Sequence, residues 1–163
     1  MSDGSLDPKH IDESRVTLSA VMGPQDTNGL GNVHGGVIMK MVDEAGGFAA
    51  MRHARRPCVT VVMDSMTFMK PVRVGMLVMC KAELTYVGNT SMEVRVEVIT
   101  DNPLEGTSEL SNTAYLVFVA LDNDGRPMRV PPLIYETPEQ EQRAQQAQAR
   151  QVYRKQQRAQ EIT

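Results

Sequence analysis

Apolar and polar residues alternate strictly near the start of the chain. "SRVTLSAVM" sets Val16, Leu18, Ala20 and Met22 on one face and Arg15, Thr17 and Ser19 on the other. That period predicts a half-buried strand. "GPQDTNGLGN", Gly23 to Asn32, reads as a loop by its Gly, Pro, Asn and Asp content. The period then lengthens. From Val37 to about Arg52, Ile38, Met41, Val42, Ala45, Phe48 and Ala49 recur at helical spacing. The other faces of this helix are mostly apolar or small, apart from Lys40 and Glu44, which stand four residues apart as an ion pair. A helix apolar nearly all round is covered on more than one side. "RHARRP" ends it, with cations at the last carbonyls and Pro57 beyond.

Four strand patterns follow. "CVTVVMDSMTFM" is β-branched and apolar and is closed by Pro71 and Gly75. "MLVMCKAELTYV" runs to the turn "GNTS", Gly88 to Ser91. "MEVRVEVIT" alternates again, with Met92, Val94, Val96 and Val98 inward and Glu93, Arg95 and Glu97 outward. The short turn joins these two as an antiparallel hairpin. "SNTAYLVFVAL" is the last long strand, stopped by "DNDGRP". One helix against a mostly antiparallel sheet of about five to six strands is an α+β layout. Its surplus apolar faces predict an oligomer. The chain divides into a flexible lead-in (1–13), a single domain (14–135) and a Gln- and Arg-rich tail (136–163). The tail favours helix but carries only Val152 and Tyr153 as large apolar residues. It reads either as a solvated helix or as one that docks on a neighbouring subunit or partner.

Composition narrows the function. The length of 163 residues favours one domain. A net charge of -3, three Phe, four Tyr and no Trp give no basic, ring-bearing surface for nucleic acid. Cys58 and Cys80 form no disulfide framework. Cys80 reads as a small buried hydrophobe. The start of the chain has no apolar signal core, and no run of about 18 apolar residues exists to span a membrane. The expected compartment is the cytoplasm.

The chemistry gathers in "GNVHGGVIMKMVDEAGG". Gly35 and Gly36 stand at the helix start, where N–H groups lack internal partners. Such an end suits an oxyanion, or it is a Gly-rich entry into a crowded helix. Asp43 lies seven residues after Gly36, on the same face and about 10 Å along the axis. A carboxylate in an apolar helix needs a partner or a use. Asp43 either meets a ligand, faces water or caps a strand. Gly46 and Ala50 continue that face and predict room beside it. His34 reads as a loop residue orienting the site, and Asn32 as an amide able to hold a water or a carbonyl. No Cys/His spacing makes a zinc site, and no G-x-S-x-G elbow or phosphate-binding Gly-rich motif is present. Arg55 and Arg56 belong to a cationic cluster that either meets phosphates or is a solvated helix end.

Taken together, "GNVHGGVIMKMVDEAG", "VTVVMDSMTFMKPVRVG" and "YVGNTSMEVRVEV" resemble the acyl-CoA thioesterases of the hotdog fold, the branch with the bacterial YciA-type and brain-type cytosolic acyl-CoA hydrolases. The resemblance spans roughly Arg15 to Pro132. It implies a long central helix wrapped by an antiparallel sheet, a homodimer as the minimum unit and a homohexamer as a trimer of dimers. It implies hydrolysis of acyl-CoA to fatty acid and CoA, with CoA present only as part of substrate and product and no other cofactor. Asp43 maps onto the catalytic carboxylate, as general base or as nucleophile. Asn32, His34, Gly35 and Gly36 map onto the carbonyl-holding loop and helix end. Thr60 maps onto an assisting residue from the partner subunit. Lys70, Arg73, Asn89, Thr90 and Ser91 are placed as candidate CoA contacts along the subunit interface, with Arg55 and Arg56 as further candidates. A hotdog hydratase or dehydratase, or a non-catalytic acyl-CoA binder, uses the same parts.

Overall fold

A computed structural model describes residues 6–162. Five strands form one antiparallel sheet: β2 (Val16–Val21), β3 (Cys58–Met63), β4 (Leu77–Val87), β5 (Ser91–Asn102) and β6 (Thr107–Ala120). Their spatial order is β2-β4-β5-β6-β3, so β2 and β3 are the edges. The hairpin expected across "GNTS" forms, with Val87 opposite Met92 and Gly88 N–H donating to the Ser91 carbonyl.

The helix α1 (Gly35–Ala54) lies against the inner face of this sheet. Ile38, Val42, Ala45 and Ala49 bury against Val94, Val96, Leu116 and Phe118. Each fully buried Val, Leu or Phe side chain contributes about 1.5–3 kcal/mol. Gly46 belongs to this contact. A Cβ there would stand 2.9 Å from the Phe118 ring, so glycine is what lets helix and strand approach. The helix includes Gly35 and Gly36 as its first two residues, rather than starting after them. At its other end Arg55 takes the left-handed conformation (φ 55) and donates its N–H to the Met51 carbonyl. A turn closed this way usually uses glycine.

Three parts depart from the sequence expectation. The strand read over Cys58 to Met69 ends at Met63, and Asp64 to Lys70 is a loop. Within the lead-in, residues 1–5 lie outside the described residues. Beyond them the chain is held. Here β1 (Lys9–His10) pairs in parallel with β7 (Leu133–Ile134), and a 3-10 turn at Ile11–Ser14 buries Ile11 and Ser14. Lys9 Nζ also donates to the His53 carbonyl, closing the end of α1 (2.7 Å).

The outer face of β5 is not open to solvent as alternation predicted. The tail forms α2 (Pro138–Glu161), capped by the Thr137 side chain, which accepts from the Gln140 N–H. It docks on the sheet of its own chain. Ala144 and Ala147 are buried, while Val152 and Tyr153 stay exposed. Small side chains bring the helix close, and arginines hold it. Arg143 pairs with Glu83, and Arg150 and Arg154 both reach Glu93. Glu93 is only 3% exposed. Two guanidinium groups and the Thr85 hydroxyl (2.7 Å) satisfy its oxygens, which a buried carboxylate requires. Arg150 also lies 3.7 Å over the Tyr115 ring.

Candidate active site

Asp43 sits in the middle of α1, half-buried at the margin of the core. Thr60, in the edge strand β3, donates its hydroxyl to Asp43 Oδ1 at 2.6 Å. The register of β3 slips between Thr60 and Val62, a bulge in the strand that carries this hydroxyl. A neutral hydroxyl orients a carboxylate without neutralising it. The remaining lone pairs can accept a proton or attack a carbon. The resemblance led to an expectation of Thr60 arriving from a second subunit. In this structure it reaches Asp43 of its own chain.

The loop ahead of α1 is built by short polar contacts. Asp26 Oδ2 accepts from the Gly23 N–H, and the Asp26 carbonyl accepts from the His34 N–H. Asn28 Oδ1 accepts from the N–H groups of Leu30 and Asn32 (2.9 and 3.3 Å). Gly31 supplies a positive φ of 81 that a branched residue would resist. Asn28 thus shapes the loop and leaves its amide nitrogen as a donor. Sequence reading passed it over in favour of Asn32. The signal was available, since Asn followed by Gly is an Asx-turn pattern.

His34 is the N-cap of α1, and no side chain caps the helix. The first amides therefore point out of the helix end. Gly35 lies under Phe68, whose ring would be 3.3 Å from a Cβ there, whereas space beside Gly36 is open. A ligand oxygen has access at Gly36. The clearance expected beside Asp43 from Gly46 and Ala50 is absent. Gly46 packs on Phe118, and Ala50 is fully buried. Within one chain the open helix end and Asp43 stay about 10 Å apart along the axis.

The residues assigned to CoA fall into two groups. Arg73 bridges Asn32, and Val33 N–H donates to the Val72 carbonyl, so "KPVRVG" adjoins the loop before the helix. Lys70 pairs with Glu109 at 2.8 Å on the surface. The turn at Asn89, Thr90 and Ser91 lies elsewhere. The Thr90 carbonyl accepts from Ala120, which pairs with Cys58 just after Arg55 and Arg56. This second group is at the far end of the 20-residue α1, about 30 Å away. One chain does not bring the two together, and the resemblance places them along a subunit interface rather than in one chain.

Among the described residues no three His, Cys, Asp or Glu side chains gather as a metal site, and no helix is long and apolar enough to cross a membrane. Burial raises both cysteine thiols to about 11, so neither offers a thiolate nucleophile near neutrality.

A long helix clasped by a curled five-stranded antiparallel sheet is the architecture of the hotdog class of domain. The Thioesterase superfamily model matches residues 30–107. The uncharacterized acyl-CoA thioester hydrolase YkhA of Bacillus subtilis is 41% identical over 78% of this chain and 74% of its own length. An apo-hexameric acyl-CoA thioesterase superposes with a TM-score of 0.88 at 34% identity, covering 93% of this chain and 98% of the other. The Staphylococcus aureus acyl-CoA hydrolase, solved with butyryl coenzyme A and coenzyme A, gives 0.83 at 33% identity, over 95% and 93%. That hydrolase has also been solved with one aspartate, one asparagine or one threonine replaced by alanine. The chain belongs to the thioesterase superfamily.

Proposed function

We propose that the chain hydrolyses acyl-CoA to a free fatty acid and coenzyme A, with Asp43 as the catalytic carboxylate. The observation that carries this reading is the Asp43–Thr60 hydrogen bond on a helix whose N-terminus is open. Water adds to the thioester carbonyl, Asp43 takes its proton, and the oxyanion forms at the amides of Gly35 and Gly36. Each such donor contributes about 3 kcal/mol. The C–S bond then breaks and CoA leaves as a thiolate, which needs little acid assistance and no metal or redox cofactor. The competing course has Asp43 attack directly and form an anhydride. Label found in Asp43 after turnover in ¹⁸O-water identifies the anhydride course, because it enters only when water opens the anhydride at the Asp43 carbonyl. Asn28, holding the loop, is the asparagine we assign to the carbonyl end, ahead of Asn32.

Two copies complete the site in this reading. Val59 and Val61 of the edge strand flank Thr60 and are exposed, as is Met39, one turn from Asp43. A second copy against this apolar edge covers it and brings its own open helix end toward Asp43. A structural relative that is a hexameric acyl-CoA thioesterase supports a trimer of such dimers. Two free cysteines accord with a cytoplasmic location.

The test is thiol release from a panel of acyl-CoA chain lengths, run on the purified chain. Release of free CoA is expected. Binding of acyl-CoA with no release at any length overturns the reading. Val61→Arg is expected to shift the elution of the chain to that of a monomer and to lose activity with it. A fully active monomer refutes the shared site.

A further inference from the structure

The loop from Asp64 to Lys70 connects two parts of the candidate site. Thr60, which holds Asp43, lies four residues before Asp64. Phe68, whose ring covers Gly35 at the open helix end, lies four residues after it. Asp64 is fixed twice. Its N–H donates to the Tyr115 carbonyl (3.0 Å), and its carboxylate takes a two-pronged contact from Arg154 of α2 (2.9 and 2.6 Å). Arg154 is only 14% exposed, and its Nη2 also reaches Glu93, so the guanidinium has little freedom to leave. Its fork matches a carboxylate in both distance and angle. Further along, the Asn112 amide donates to the Thr67 carbonyl, one residue before Phe68.

We infer that the Arg154–Asp64 pair is a positioning device through which the C-terminal helix sets the loop that lays Phe68 across the helix end receiving the thioester. This rests on the function proposed above. Arg154 and Asp64 touch no substrate. They fix where the strand stops and the loop departs, and so where Phe68 lies over Gly35 beside the open space at Gly36. Asp64 separates this role from simple docking of α2. Glu93 keeps both of its arginines when Asp64 is changed, so the helix stays in place.

The test uses Asp64→Asn and Phe68→Ala in the full chain, with kcat and KM measured for a short and a long acyl-CoA. Amide exchange is followed over residues 65–71. For Asp64→Asn, KM is expected to move about fivefold or more, with the two substrates shifted unequally. Kcat is expected to stay within about twofold and the melting temperature within a few degrees. Exchange should rise over 65–71 while β5 is unchanged. Phe68→Ala should shift the same substrate preference, and Asp64→Glu should recover part of the wild-type KM. The inference is overturned if Asp64→Asn leaves KM and exchange at wild-type values. It is also overturned if activity falls only in proportion to folded protein. Loss of the functional reading looks different, because the unaltered chain then releases no thiol. The exchange result still tests the pair in that event.

Discussion

Two carboxylates sit where a helix meets the sheet, and they are treated in opposite ways. Glu93, on the outer face, is 3% exposed and receives two arginines and a hydroxyl. Its charge is spent on holding α2 in place. Asp43, on the inner side, receives one neutral hydroxyl and keeps access to solvent. Burial alone would rank Glu93 as the more unusual acid. The number and charge of the partners rank them the other way. A carboxylate already matched by cations is finished structurally, whereas one that is oriented but not neutralised is able to react.

The sharpest way to break this contrast is to remove each acid in turn. Asp43→Ala is expected to lower kcat by about 10²–10⁴-fold, the range of a general base. Its melting temperature should change by no more than a few degrees. If the variant hydrolyses acyl-CoA at near wild-type rate, Asp43 is not the catalytic carboxylate. Glu93→Gln should do the reverse. It is expected to cost about 3 kcal/mol in urea unfolding, because two arginines lose their counter-charge. The kcat of the folded fraction should hold within a few-fold. An unchanged midpoint would show that α2 docks without it. Next in size is Asn28→Ala, for which kcat/KM is expected to fall about tenfold through loss of the acceptor for two loop amides. Asn32→Ala should cost less, and an equal or larger cost would return the carbonyl role to Asn32.

A smaller effect comes from a buried histidine. His53 is fully buried near the end of α1, its Nε2 bonded to the Pro131 carbonyl at 2.7 Å. Its Nδ1 has no partner in the described structure. Burial lowers its pKa below the usual 6.5, with the nearby Lys9 ammonium adding to that. The folded state therefore favours the neutral ring. In the window below 6.5 the unfolded chain takes up a proton that the folded chain refuses. Stability is present above that pH and is lost as pH falls toward the folded value, at a slope of up to about 1.4 kcal/mol per unit. Unfolding curves between pH 7.5 and 5.5 should show this slope in the native chain and not in His53→Gln. A flat profile in both would remove His53 from the account.

Much of the fold was legible because it is periodic. The alternation from Met92 to Thr100 and the helical spacing from Ile38 to Ala49 are local facts, and both elements formed there. The ion pair of Lys40 and Glu44 was equally local, at 3.9 Å on the surface. What the sequence hid is long-range. Glu93 and Arg154 are 61 residues apart, and Asp64 and Arg154 are 90. Nothing in a run of Gln and Arg announces which carboxylates it will meet, so β5 looked solvated on one side. The part of the lead-in around Lys9 and His10 was misjudged for the same reason, since its partners lie at Pro132, Leu133 and Ile134. Asp43, Gly35 and Gly36 stood out because Gly and Asp oppose a buried helix. Thr60 was named only through the resemblance, because a Thr in a β-branched strand is ordinary until its partner is seen. Asn28, the asparagine we assign to the carbonyl end, was local and was passed over, because its Asn-Gly turn was read only as part of a polar loop.

The meeting of Gly46 with Phe118 also limits how relatives of this chain can diverge. The two positions are 72 residues apart in sequence and form one steric unit in space. A side chain at 46 demands a smaller ring or none at 118, while a glycine at 46 with a reduced residue at 118 leaves a void under α1. Drift at either position alone is therefore penalised, and the two are expected to change together. The penalty falls on the helix turn that follows Asp43, so neutral change in the core is tied to the alignment of the carboxylate we propose as catalytic.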